Sequence, residues 1–412
     1  MMTRRAFVKA AVIVGIGAGA VAPGVLARTQ QYGAPYGDVL RPAGRYASAI
    51  AEARGQLVTF MTDNGVPGLS IAIAVDGDIV WSEGLGYANV EQRVLVTPLT
   101  RFRSGSVAKA ITSSAAAVLS ERGQLDYDAP VQKYVPSFPD KGAKITPRLL
   151  AGHLAGLRYY PNGTDDEEFY STKQYHDVVD TLAIFKADPL IHAPGSKYFY
   201  TTYGTNLLGA AIQGAAGKPF PAVMQELVFD PLKMRSTSMD EFDAIIPNRT
   251  SYYERNNPAP DGTYQKRSAW RAAKTLGKLL NAPFADNSNK WPGGGLITTP
   301  EDLVRFGSAH LQPGYLKAET LKVHFSPMHT ADGKSTNYAM NWDIHTDAQG
   351  RATWSKGGSS VGGKSILLMF PNEKLVIAIQ HNLTNPNYGT LPNQIADLFL
   401  RRAASSSPAL GK

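Results

Sequence analysis

Between Gly68 and Tyr87 the chain reads GLSIAIAVDGDIVWSEGLGY, two β-rich alternating runs parted by Asp76-Gly77. Alternation at a period of two turns one face of each run toward a core, and Asp-Gly is a favoured pair for a tight hairpin turn. The far end of the chain repeats the arrangement. Lys364 to Phe370 and Leu375 to Gln380 flank Pro371-Asn372-Glu373-Lys374 as a second predicted hairpin. The middle reads as helix. Ser106 to Arg122 is Ala-rich, with Gly123 placed as its stop, and Thr146-Pro147 opens a second helix in the N-cap/N1 arrangement. Gly204 to Ala216 is a third. Thr299-Pro300-Glu301-Asp302 caps a fourth, with acids where the helix dipole favours them, and a last helix spans about Pro392 to Arg402.

Isolated hairpins are marginal in water, so the strands at the two ends have to find each other. The pattern therefore predicts an α/β fold of the α+β kind. Its antiparallel sheet is formed by both chain ends and flanked by helices, with a large helical insertion. One domain is expected over residues 45–402. Its sheet part lies at about 45–105 and 285–402, its helical part at about 106–284, and a small-residue tail fills 403–412. No solenoid-length repeat is present.

Composition adds an address. Thr3-Arg4-Arg5-Ala6-Phe7-Val8-Lys9 has the form of a twin-arginine export signal, and a weakly apolar run, Ala10 to Ala22, leads to the small-residue cleavage site Val25-Leu26-Ala27. The run is shorter than the roughly 20 apolar residues that span a bilayer. The expectation is a signal over residues 1–27, read by the twin-arginine export machinery, followed by a Gly/Pro-rich linker over 28–44. The mature protein would be periplasmic or otherwise extracytoplasmic in a bacterium, with no stable membrane span. Loss of Arg4, Arg5 and Lys9 takes the formal charge from +8 to +5. That balance, with no basic stripe interleaved with aromatics, argues against nucleic acid. The 412 residues contain no cysteine, which excludes disulfides, a catalytic thiol and thiolate metal sites. The scattered histidines form no metal pattern, and no cofactor is expected.

The stretch KGGSSVGGKS, Lys356 to Ser365, satisfies three catalytic patterns at once. Gly358 to Ser365 matches a P-loop, but no buried strand precedes it and no helix follows. Gly358 to Gly362 matches a nucleophile elbow at Ser360, yet His381, Glu373 and Asp397 all fall within the adjoining hairpin and helix, which leaves no room for the fold that motif requires. Both read as coincidences of a Gly/Ser-rich loop. Lys356-Gly357-Gly358 matches K-x-G, whose partner S-x-x-K occurs once, at Ser106-Val107-Ala108-Lys109. Residues i and i+3 share a helix face, so the amine can reach the hydroxyl. A serine needs such a base to become a nucleophile, and desolvation among other cations suits a lysine to the task. The bland reading is a serine N-cap beside a solvated lysine.

Longer blocks overturn the bland reading. FRSGSVAKAIT, ITPRLLAGHLAGLRYY, PGSKYFYTTYGTNLLGAAI, ADNSNKWPGGGLITTPEDLVRFG and KGGSSVGGKSILLMFP stand in one order that resembles the class C β-lactamase/penicillin-binding-protein superfamily. The likeness is greatest to mitochondrial serine β-lactamase-like proteins and their bacterial relatives. It implies a β-lactamase/transpeptidase-like serine hydrolase forming an acyl-enzyme with a small-molecule or peptide substrate. Ser106 would be the nucleophile, with Lys109 and Tyr200 handling its proton. Lys356, Thr202 and Gly358 would face substrate, and the N–H groups of Ser106 and Ser359 would form the oxyanion hole. The family's Y-x-N becomes Tyr200-Thr201-Thr202, where a hydroxyl replaces the amide and puts substrate carbonyl recognition in doubt. The resemblance implies peptidase or amidase action, with β-lactam or ester hydrolysis, or a non-catalytic scaffold, as alternatives. His153 reads as structural, and Trp291 to Gly295 as a tight loop lining the site.

Overall fold

The computed structural model describes residues 44–161, 167–255 and 277–405. The expected export signal, almost all of the linker and the end of the tail lie outside them. Seven strands form one antiparallel sheet: β1 (Gly68–Val75), β2 (Asp78–Asn89), β3 (Val94–Leu95), β4 (Asp343–Thr346), β5 (Ala352–Ser360), β6 (Gly363–Phe370) and β7 (Leu375–His381). Their spatial order is β3-β2-β1-β7-β6-β5-β4. The seam between the two ends of the chain is the β1–β7 pair, in register from Leu69 opposite His381 to Val75 opposite Leu375. The predicted antiparallel sheet made from both ends is therefore observed, and both hairpins fall where the alternation put them.

Every residue of β1 and β7 is buried, because both faces of the sheet are covered. Ile71, Ile73, Ile377 and Ile379 face helices α1 (Ala47–Asn64) and α5 (Leu391–Ser405). The alternate positions Ala72, Ala74, Val376 and Ala378 face the opposite side, in one core with α2 (Val107–Glu121), α3 (Thr202–Ala216) and α4 (Pro300–Ser308). Small side chains on that face let α4 approach closely; a Cβ added at Gly307 would lie 2.7 Å from a Val376 methyl.

Two segments depart from the sequence reading. Lys356 to Ser360 is no loop: it is the end of β5, paired with β6 from Trp354 opposite Met369 to Ser360 opposite Gly363. Cross-strand bonds from β6 supply what its Gly/Ser composition lacks. Trp291–Gly294 is a single helical turn rather than an irregular loop. The sheet seam is the joint on which the site depends. Ile377→Ala, at a fully buried position of β7, should lower unfolding stability by about 3 kcal/mol in urea titration; a loss under about 1 kcal/mol would show that the seam is not tightly packed.

Candidate active site

Ser106 stands just before α2, in helical backbone (φ −66°), and its side chain makes no capping hydrogen bond. Lys109, one turn on, is fully buried. The serine-cap and solvated-lysine alternative is thereby excluded on both counts. Lys109 Nζ lies 3.1 Å from Ser106 Oγ, 3.1 Å from Thr202 Oγ1 and 2.5 Å from the Gly293 carbonyl oxygen. A neutral amine satisfies all three, donating to Gly293 O and Thr202 Oγ1 and turning its lone pair to the Ser106 hydroxyl. Burial drives the Lys109 pKa well below that of a free lysine, and the charges of Lys356 and Lys290 push it the same way.

Tyr200 hydrogen-bonds Ser106 through its hydroxyl, and burial holds the phenol well above its ordinary pKa. Its backbone is fixed from both sides. Thr201 caps α3 by accepting from Tyr203 N and donates its hydroxyl proton to Arg158 O. Thr202 thus begins α3, two residues before the sequence reading started that helix. Its hydroxyl accepts from Lys109 and also bonds Tyr159, so it works on the lysine as much as on the cavity it lines.

A cavity of about 210 Å³ opens over Ser106, walled by Tyr159, Tyr160, Phe169, Tyr200, Thr202 and Lys290, with Gly293, Gly294, Gly357 and Ser359 completing it. Lys356 is not part of that wall. It is buried behind Tyr200, 5.0 Å from the ring centroid, donating to Tyr338 Oη at 2.6 Å with Asp343 at 3.4 Å. Its charge lowers the Lys109 pKa, and its amine is turned to Tyr338 and Asp343. Gly358 likewise does not line the cavity. A methyl there would sit 2.0 Å from Ser104 O and 3.0 Å from Ser106 N, so only glycine lets β5 lie this close to the start of α2. Across the same contact, a methyl on Gly105 (φ +49°) would meet Ser359 N at 2.5 Å. The Ser106 and Ser359 nitrogens therefore flank one narrow seam, and both residues line the cavity.

Two contributors, Lys290 and Tyr338, escaped the sequence reading. Lys290 is buried and donates to Phe169 O at 2.7 Å, and its pKa is pushed down to about 7, chiefly by burial. Tyr338 links Lys356 to His153, whose Nε2 is 3.0 Å from the phenol oxygen. His153 has the structural role expected of it, with a specific object: its ring lies 4.4 Å from that of Tyr200 and its Nδ1 accepts from Thr201 N. Burial, then the charge of Lys356, lower its pKa well below that of an ordinary histidine. The one available signal was its left-handed backbone (φ 57°), which a sequence does not display.

A model of the family described as Beta-lactamase matches residues 53–400. The chain belongs to the beta-lactamase family. It is 32% identical over 418 residues to the human serine beta-lactamase-like protein LACTB, mitochondrial, covering 80% of this chain and 73% of that one. Among solved structures, FmtA from Staphylococcus aureus shares the fold with a TM-score of 0.70 at 18% identity, covering 90% and 93% of the two chains. The D-amino acid amidase from Ochrobactrum anthropi SV3, complexed with D-phenylalanine, does so at 0.71 and 19%, covering 87% and 100%. The beta-lactamase fold in this chain is thus shared with penicillin-binding-like proteins and with hydrolases.

The two neighbouring glycines of β5 separate packing from composition. Gly358→Ala should destabilise the protein by about 2 kcal/mol or more, because backbone must move. Gly357→Ala, whose methyl would meet nothing closer than an Ile366 methyl at 3.9 Å, should stay within about 0.5 kcal/mol. Equal losses in urea unfolding would refute the close approach.

Proposed function

We propose that this beta-lactamase-family protein is an exported serine hydrolase that cleaves an amide or peptide bond through an acyl-enzyme on Ser106. The observation that carries the reading is the Ser106 hydroxyl set between the Tyr200 phenol and the buried Lys109 amine, whose pKa is held well below that of a free lysine. Lys109 takes the hydroxyl proton as Ser106 Oγ bonds to the substrate carbonyl carbon. The resulting oxyanion is met by the N–H groups of Ser106 and Ser359; one such donor is worth on the order of 10²–10³ in rate. Tyr200 stays protonated at working pH, so it is the acid: it gives its proton to the departing nitrogen as the C–N bond breaks. The proton held on Lys109 is returned to the Tyr200 phenolate, which leaves Lys109 as the free amine and Tyr200 as the phenol. In the second half Lys109 deprotonates a water, whose oxygen bonds to the acyl carbon. Ser106 Oγ leaves and recovers its proton.

The aromatic walls formed by Tyr159, Tyr160 and Phe169 suit an acyl group with an apolar or aromatic side chain. The D-amino acid amidase among the structural neighbours supports amide cleavage over a dedicated β-lactamase, as does the hydroxyl of Thr202 in place of an amide. A turnover screen across a D-amino-acid amide, a peptide, a β-lactam and a short-chain ester ranks these reactions.

Ser106→Ala should abolish turnover of every substrate in the screen while circular dichroism and melting stay unchanged; residual activity near wild type would sink the assignment. Because Lys109 acts as the free amine, kcat/KM should fall as pH drops through its pKa. Lys290→Gln removes a charge that lowers that pKa, so the acid limb should move to higher pH. A limb that stays put, or moves down, contradicts Lys109 as the base. For export, replacing Arg4 and Arg5 together with lysine should leave the protein inside the cell, read by fractionation; unimpaired export would remove the twin-arginine reading.

A further inference from the structure

Lys364 is the lysine of the P-loop match, and the proposed chemistry gives it no task. It sits on β6 directly opposite Ser359, which lines the active-site cavity. Its side chain is 9% exposed, and its amine donates to Asn387 Oδ1 at 2.7 Å. Burial lowers its pKa, and no carboxylate among the described residues contributes to its environment. The titratable groups beside it are His381, its partner on β7, which burial holds near pKa 3, and Tyr388. Neither supplies a negative charge. A buried cation without a counter-ion is costly, and a bound anion offsets that cost.

A second cavity, of about 280 Å³, lies where such an anion would enter. Lys364, Ser355, Asn387 and Asn393 give it polar lining, and Ile366 and Leu368 give it apolar lining. It shares Gly357 and Ser359 with the cavity over Ser106. β4 stops pairing with β5 at Ser355, so no strand among the described residues pairs with that edge of β5 from Lys356 onward, where Gly357 and Ser359 are exposed. An extended peptide advances about 3.3 Å per residue and turns successive side chains to opposite sides. A chain held along this edge with its scissile carbonyl at Ser106 brings a nearby residue over the second cavity.

We propose that the second cavity is a substrate subsite that takes a carboxylate carried by the peptide beyond the scissile bond, with Lys364 as its counter-charge. The apolar lining covers the carbon stem of that group, and Asn387 holds the ammonium in place. The subsite rests on the hydrolase reading and narrows its substrate class to acidic peptides.

Binding to the Ser106→Ala variant tests it without needing turnover, so its failure is separable from failure of the hydrolase reading. Calorimetry compares acetyl-Phe-Glu-Ala amide with its Gln counterpart, and acetyl-Phe-Ala free acid with its amide. The first pair reads a side-chain carboxylate and the second a chain-end carboxylate. In at least one pair the acid should bind about tenfold more tightly, equivalent to about 1.4 kcal/mol. The preference should weaken with salt, vanish in Ser106→Ala/Lys364→Met and return in Ser106→Ala/Lys364→Arg. Equal affinity within both pairs, a preference that survives Lys364→Met, or no measurable binding of any peptide overturns the proposal. The comparison within the lysine-bearing protein stands even if Lys364→Met does not fold.

Discussion

Lys109 carries its amine into the interior with no carboxylate among the influences on its charge. An ammonium there would be unpaired in a low-dielectric setting, beside two further buried lysines, so the fold favours the free amine. Everything around it fits that state. Gly293 O and Thr202 Oγ1 take its two protons, and the remaining lone pair meets the hydroxyl of Ser106. The charges of Lys356 and Lys290 then push the Lys109 pKa down from a distance. Lys356 is itself restrained by Tyr338 and Asp343, whereas Lys290 donates to a carbonyl, lies over the Phe169 ring and faces the cavity.

That arrangement requires three remote parts of the chain to meet. Ser106 and Lys109 come from α2, Tyr200 and Thr202 from the start of α3, and Lys356 to Ser359 from the C-terminal half of the sheet. The β1–β7 seam brings the sheet's halves together, and the absence of a side chain at Gly358 lets β5 close on the Ser106 turn. His153 then packs its ring against Tyr200 from behind, and Tyr338 packs against His153 and hydrogen-bonds its Nε2. β5 lines two cavities, one with Ser106 and one with Lys364.

Much of this was legible in the residues. Period-two alternation located β1, β2, β6 and β7 because their faces bury different side chains. Cap chemistry at Thr146, Thr299 and Gly123 marked helix ends because those groups act locally. Ser106 and Lys109 stood out through a spacing that has a geometric reason. What stayed hidden was set by distant contacts. The β5 strand looked like a loop because glycine and serine have weak strand preference, and its partner β6 overrides that preference. Lys290 looked like one more polar residue in a loop until the fold buried its amine within range of Lys109. Lys356 matched a motif that names its position and says nothing of which groups its amine will face.

The claim at the centre is that Ser106 becomes acylated. Its most direct test is the mass of the intact protein, acid-quenched during turnover of an activated ester, followed by digestion and mapping of the adduct. The account predicts one acyl group per chain, on the peptide containing Ser106, forming faster as pH rises and Lys109 loses its proton. An adduct on any other residue, or turnover with no adduct at any quench time, would contradict it.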